Sequence, residues 1–385
     1  MRLLHIDAIG FPLFKSGLRF SLIAQQRVAD DDKDSLHNLI KGSPFYLNSV
    51  ASVIGINASG KTSVLKVLLL ALNILGNEPV SHCESKDILG DAVDAQLVIT
   101  FFSDSGELCQ LDTHLEVVKK GTERQYRIKA ETLKKKAIKE VKNKAQLIDF
   151  SKVEPFITRS NNENFLADDI SIMIAYNKKN DYQPCVKSLL SMTNVNVLPV
   201  SDNISLDVVQ YLDPTIEALY FDREDRKTVH LKFRGQEEIL LSDSSVLNRF
   251  LSSGTIKGIV AFSYGIQVLK AGGYLIIDEL ENHFNKEITA TLIRLFLNAA
   301  ININGGTLVF STHYPELIDE FDRNDCIFIT KNQNGIIMDV LSDLLKRNDV
   351  KKSEAYQSDL LAGTAPSYEA YMRLKNNLVS SLKKG

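Results

Sequence analysis

Apolar and polar residues alternate with a period of two over residues 18–23, where Leu18, Phe20 and Leu22 are separated by Arg19 and Ser21. A short apolar run, Leu3-Leu4-His5-Ile6, precedes them, and both stretches predict strands. Residues 25–45 are polar and charged and read as a surface loop with a short helix. Residues 49–54 form a small apolar strand, followed by a Gly-rich loop and a helix from Lys61 to about Leu75. Residues 96–102, 107–118 and 123–130 predict an antiparallel meander, with turns at 103–106 and 120–122. From Glu131 the pattern changes. The spacing of Leu133, Ala137, Val141 and Leu147 predicts a helix over 131–147, and 131–212 reads as a mostly helical insertion. Strands return over 217–220, 228–233 and 238–241. Beyond Ser253 a helix (256–271), a buried strand (274–278), a helix (286–302), a strand (307–311), a helix (315–321) and a strand (326–330) alternate, which predicts a parallel sheet covered by helices. The expected class is therefore α/β, with a parallel core sheet plus an antiparallel β meander. The expected division is 1–130, 131–212, 213–350 and a helical tail over 351–385. In that tail Ala355, Tyr356, Leu360, Leu361, Tyr368, Tyr371, Met372 and Leu378 allow one amphipathic helix after Pro366, whose apolar side either completes a core or meets a partner.

Composition adds mostly exclusions. The chain has 385 residues, 44% hydrophobic and 24% charged, an ordinary globular balance for one large or two compact units. The longest apolar run, from Val64 to Leu75, carries Lys66 and Asn73. A membrane span needs about 20 apolar residues, so none is expected. Asp7 arrives too early for a secretory leader. The four cysteines, Cys83, Cys109, Cys185 and Cys326, have no C-x-x-C spacing and read as free thiols in a reducing cytosol, so a cytoplasmic location is expected. The net charge of −3 conceals an asymmetry, because residues 117–144 carry a local excess of +8. The segment from Lys119 to Lys144 reads as a contact for nucleic-acid phosphates, a dock for an acidic partner or a solvated face.

The chemistry sits in four short stretches. Gly55-Ile56-Asn57-Ala58-Ser59-Gly60-Lys61-Thr62 fits G-x-x-x-x-G-K-[ST] at every fixed position, with an apolar strand before it and a helix after it. Such a loop curls backbone amides around phosphate oxygens, and the helix N-terminus adds partial positive charge. Lys61 is then placed to reach the β- and γ-phosphates, and Thr62 to ligate Mg²⁺. Tyr274-Leu275-Ile276-Ile277 ends in Asp278-Glu279, at the end of a parallel strand where ligands sit. Asp278 suits a magnesium contact and Glu279 suits polarising a water. His313, after Leu308-Val309-Phe310-Ser311-Thr312, either meets a γ-phosphate or is simply solvated. Leu251-Ser252-Ser253-Gly254-Thr255 opens an apolar helix, either as an anion contact through amides and dipole or as a plain N-cap.

These four elements, in this order, resemble the ABC-type ATPases, and within them the soluble branch of SMC proteins, RecF and the overcoming-lysogenization-defect class. Asn57-Ala58-Ser59-Gly60-Lys61-Thr62 resembles that branch's phosphate loop, and Leu251-Ser252-Ser253-Gly254-Thr255 its signature motif. Asp278-Glu279-Leu280-Glu281-Asn282-His283 resembles its aspartate strand and D-loop, and Thr312-His313-Tyr314-Pro315-Glu316-Leu317 its switch. The resemblance implies a P-loop ATPase head that binds ATP and Mg²⁺ through Gly55, Asn57, Ala58, Ser59, Gly60, Lys61, Thr62 and Ser63. Thr62 and Asp278 would hold the metal, and Lys61, Glu279 and His313 would be catalytic. Ser253 and Gly254 of a second copy would complete each site in an ATP-sandwiched dimer. The family's magnesium-contacting glutamine has two candidates here, Gln96 and Gln110. The stand-alone relatives are antiphage ATPases of the Septu, retron-linked and abortive-infection kinds, many of which pair with a separate effector such as a nuclease. Only 72 residues follow His313, too few for a fused Toprim nuclease, so the effector is expected on a partner chain. A DNA-repair or recombination ATPase of the RecF or SMC kind, or an ATP-dependent scaffold with little turnover, is the alternative.

Overall fold

The structure is a computed structural model and describes residues 1–159, 166–180, 184–191, 198, 204–282, 285–346, 350–358, 361, 364 and 368–382. The chain opens with β1 (Arg2–Ile9), β2 (Leu18–Ser21), β3 (Leu36–Asn38), β4 (Tyr46–Asn48) and β5 (Val50–Ile54), then α1 (Lys61–Leu75). Next come β6 (Ala95–Phe102), β7 (Glu107–Lys120), β8 (Glu123–Ala137), α2 (Ala145–Ile148), β9 (Pro155–Thr158), α3 (Met173–Asn180) and β10 (Val186–Ser188). The second half carries α4 (Leu206–Leu212), β11 (Ile216–Phe221), β12 (Val229–Phe233), β13 (Ile239–Leu241), α5 (Ser253–Ala271), β14 (Tyr274–Ile277) and α6 (Lys286–Leu297). It ends with β15 (Thr307–Thr312), β16 (Ile327–Asn332), β17 (Ile336–Val340), α7 (Leu341–Leu344), α8 (Lys352–Gln357) and α9 (Tyr368–Leu382). The helix expected over 315–321 is a 3-10 turn at Pro315–Glu320.

Two six-stranded sheets organise the molecule. One has the order β2-β1-β6-β7-β8-β9 and is antiparallel; the other has the order β10-β14-β15-β5-β16-β17 and is parallel except for β17. Alternation divides the parallel strands between two cores, as period-two side chains require. Ala51, Val53, Ile276, Val309 and Phe328 face α1 and the antiparallel sheet. Val50, Ile54, Leu275, Ile277, Leu308, Phe310, Ile327 and Ile329 face α5, α6 and the small sheet β11-β12-β13. Helix α1 is therefore sandwiched between two sheets, which explains why eleven of its fifteen residues are buried.

The helix expected over 131–147 is absent. β8 continues to Ala137 and stays paired with β7 along its length. Its inward positions are Tyr126, Ile128, Glu131 and Leu133. A bulge opposite His114 and Leu115 shifts the alternation by one residue, which hides the period of two from a sequence reading. Cross-strand pairing then outweighs a helical spacing that had no tertiary partner. Nor are the described residues of 131–212 mostly helical, since they also supply β9 and β10. β10 pairs with β14 in the parallel sheet, and Ile172, Met173 and Tyr176 enter the core around α1. Glu131 pins this segment down: its buried carboxylate accepts from Thr113 Oγ1 (2.8 Å), Ser171 Oγ (2.7 Å) and Ile172 N (2.7 Å). Burial pushes its pKa up against those three bonds.

Five of the nine lysines of the basic segment bond to other groups within the chain. Lys134 donates to the Phe150 carbonyl, and Lys136 to those of Gln146 and Asp149. Lys135 pairs with Glu107 at 3.1 Å, and Lys144 donates to the carbonyls of Gln25 and Gln26. Lys119 and Arg124 share Asp91. Cys83, Cys109 and Cys326 are buried, and burial raises the Cys83 thiol to about 12 and that of Cys109 to about 11, which leaves them unreactive. Among the described residues no helix is long and apolar enough to cross a membrane. In the tail, Ala355, Tyr356 and Leu361 complete a core. Helix α9 does not, because Tyr371, Leu374, Leu378 and Leu382 are more than half exposed. Leu360 and Pro366 lie outside the described residues.

Leu133 is fully buried. Leu133→Ala is expected to lower the unfolding free energy by about 2–5 kcal/mol, measured by urea denaturation. A loss below about 0.5 kcal/mol would contradict the strand placement.

Candidate active site

Three parallel strands set the site. Ile277 of β14 is level with Phe310 of β15, and Ser311 and Thr312 are level with Val53 and Ile54 of β5. The loops leaving these strands therefore emerge side by side. They carry Gly55 to Lys61, Asp278 to Asn282, and His313.

The candidate phosphate loop folds back on itself through left-handed backbone at Ala58 (φ 61°) and Gly60 (φ 101°). A Cβ on Gly60 would collide with the Ile336 side chain, and one on Gly55 with Ser59 and Thr330, so the glycines answer both a dihedral and a space requirement. Ser59 is buried and its hydroxyl shares a 2.7 Å bond with Thr330 Oγ1. Lys61 begins α1, and its Nζ donates to the carbonyls of Gly55 (2.9 Å) and Ile56 (3.2 Å). Burial lowers the Lys61 pKa, opposed by Asp278, Glu279 and Glu281.

The acids and His313 complete the constellation. Thr62 Oγ1 donates to Asp278 Oδ2 at 2.7 Å. Ser311 Oγ donates to Asp278 Oδ1 and accepts the Glu279 amide at 2.8 Å. Glu279 holds a left-handed backbone, φ 49°, an uncommon conformation that clusters at functional sites. His313 stands between the other two catalytic candidates: Nδ1 is 3.2 Å from Lys61 Nζ, and Nε2 is 3.3 Å from Glu279 Oε1.

Asn57, Ala58, Gly60, Lys61, Thr62, Ser63, Glu279 and His313 line one cleft of 820 Å³. Gly55, Ser59 and Asp278 lie directly behind it through the bonds above. The chemistry of these donors fits a magnesium-bound triphosphate. Thr62 and Asp278 offer hard oxygens, and Mg²⁺ is usually held by one or two protein oxygens together with substrate phosphates. Bound there, Mg²⁺ would neutralise negative charge on the phosphate oxygens.

Ser253 and Gly254 are not among the residues lining this cleft. Ser252 caps α5, its Oγ accepting the Thr255 amide at 3.0 Å. Burial lowers the Lys257 pKa, opposed by the charge of Glu279. Gln96 bonds Asp112 and Gln110 bonds Thr100 and the Ile148 carbonyl, both within the antiparallel sheet, and neither lines the cleft. His283 lies outside the described residues.

The sequence reading missed one wall. Asn332, Asn334, Gly335 and Ile336 of the β16–β17 hairpin line the cleft, with Pro12 and Leu13 beside them. The Asn332 amide donates to the Ala58 carbonyl at 3.2 Å, and Ile336 N donates to the Leu13 carbonyl at 2.8 Å. The Asn334-Gly335 dipeptide between two apolar runs was the available signal, since it marks a hairpin turn.

Lys61→Ala is expected to weaken ATP binding about 10–100-fold, the range for losing a charge-assisted bond, measured by titration with a fluorescent ATP analogue; unchanged affinity would overturn the assignment of this cleft. Over residues 179–319 the chain matches the family model described as "AAA domain, putative AbiEii toxin, Type IV TA system". The match includes Asp278, Glu279 and His313 and covers a little over a third of the chain. No match was found among curated proteins. The family match and the mixed α/β fold, with its largely parallel sheet, support a P-loop ATPase of the AAA kind related to abortive infection.

Proposed function

We propose that the protein is an ATP-hydrolysing ABC-type ATPase that closes head to head around ATP and governs a separate effector, a nuclease being the expected kind, in antiphage defence. The carrying observation is the meeting of Lys61, Thr62, Glu279 and His313 in one cleft, with Asp278 bonded to Thr62 directly behind it, while Ser253 and Gly254 are not among the residues lining it.

In this reading Lys61 leaves the carbonyls of its own loop for the β- and γ-phosphates. The Glu279 carboxylate takes the proton of a water as its oxygen attacks the γ-phosphorus and the bond to the ADP oxygen breaks. His313, already within reach of both Lys61 and Glu279, bonds the γ-phosphate and reports its presence. Ser253 and Gly254 of a second copy supply the remaining donors, because the amides of a helix N-terminus favour anions. The abortive-infection relationship of the matched family supports the defence role. The engagement of Lys134, Lys135, Lys136 and Lys144 in bonds within the chain favours this reading over nucleic-acid binding through that segment.

Glu279→Gln is expected to bind ATP–Mg²⁺ with near wild-type affinity and to release phosphate about 10²–10⁴-fold more slowly, the contribution of a general base. It should accumulate as an ATP-dependent dimer in mass measurements in solution. Wild-type turnover by this variant would remove Glu279 from the mechanism, and an unchanged mass with ATP would remove the sandwich.

A further inference from the structure

We infer that Glu281 is a positioning residue that holds His313 in place for hydrolysis; the inference rests on the ATPase reading above. Glu281 follows the two acids of the β14 end and is 7% exposed. One oxygen, Oε1, accepts the backbone amide of His313 at 2.5 Å. Among the described residues, the other, Oε2, is buried without a hydrogen-bond partner. A carboxylate in such a place is costly, because burial disfavours charge and an unpaired buried oxygen loses its water. What offsets that cost on the Oε1 side is the bond to the His313 amide.

What it holds is the turn after β15. Thr312 is fully buried, and its Oγ1 accepts the Tyr314 amide at 3.0 Å. Ser311 is tied to Asp278, to the Glu279 amide and, through its carbonyl, to the Leu280 amide. The two loops are thus laced at three successive levels, Ser311 to Asp278 and Glu279, Ser311 to Leu280, and His313 to Glu281. Of these three, the last holds the histidine at its main chain, while its ring meets the same loop separately through Glu279. The imidazole remains free to face Lys61 through Nδ1 and Glu279 through Nε2. Released from Oε1, the residue can turn about its own backbone, and neither ring contact is then fixed.

Two variants separate reach from charge. Glu281→Gln keeps the length and an oxygen acceptor but loses the charge. Glu281→Asp keeps the charge but is one methylene too short for the His313 amide. Each is made in the full chain and compared by thermal unfolding, ATP-analogue affinity, and kcat and KM for ATP–Mg²⁺. The expected result is turnover within about threefold of wild type for Glu281→Gln. Glu281→Asp should lose about 10–100-fold in kcat at near wild-type affinity, the scale of an ångström-sized misplacement of a catalytic group. Combining Glu281→Asp with His313→Ala should be no slower than His313→Ala alone, because both act through one group. Any other order of the two single variants overturns the inference, as does a multiplicative loss in the double variant. A wild-type chain that hydrolyses no ATP would instead overturn the ATPase reading.

Discussion

The parallel ladder of β14, β15 and β5 is the constraint on which the site depends. Three sequence segments, the first more than two hundred residues from the other two, meet because their strands are hydrogen-bonded in register. Parallel strands all leave the sheet at the same edge, so the loops that follow them have no choice but to be neighbours. Ser311 turns that proximity into a fixed geometry by bonding both Asp278 and the amide of Glu279. The layers around the ladder serve it. Helix α1 fills one face and is itself covered by the antiparallel sheet, while α5 and α6 fill the other.

Energetically the edge is expensive. Lys61 and Glu281 are buried, and Ala58 and Glu279 hold left-handed backbone. Each feature opposes folding, and together they persist only because the two apolar cores on either side of the sheet over-determine the strand ends. The β16–β17 hairpin contributes to that determination. It packs Ile336 against Gly60 and bonds Ala58 through Asn332, so the phosphate loop is shaped from outside as well as by its own glycines.

The basic hairpin shows what geometry adds to composition. A dense run of lysines suggests an electrostatic surface. In the fold, Lys134 and Lys136 satisfy carbonyls of the segment 146–150, and the Lys136 ammonium lies 4.1 Å from the Phe150 ring centre, a cation–π contact. Their charge is spent on holding the long hairpin to the connection that follows it, in the manner of long amphipathic side chains.

The sequence by itself determined the local structure around the candidate site. The phosphate loop, the acids ending a buried apolar strand and the extent of α1 were all legible, because each is encoded within a dozen residues by turn chemistry and by apolar period. The alternation of strand and helix beyond Ser253 was legible for the same reason. Other features were decided only by the tertiary structure. The bulge that carries β8 to Ala137 depends on a partner strand, so helical spacing prevailed in the sequence until pairing overruled it. The wall supplied by Asn332 to Ile336, the withdrawal of Gln96 and Gln110 into the antiparallel sheet and the grip of Glu281 on the His313 amide are contacts between distant segments. They depend on which strand lies beside which, and a one-dimensional pattern carries no such information until the sheet has formed.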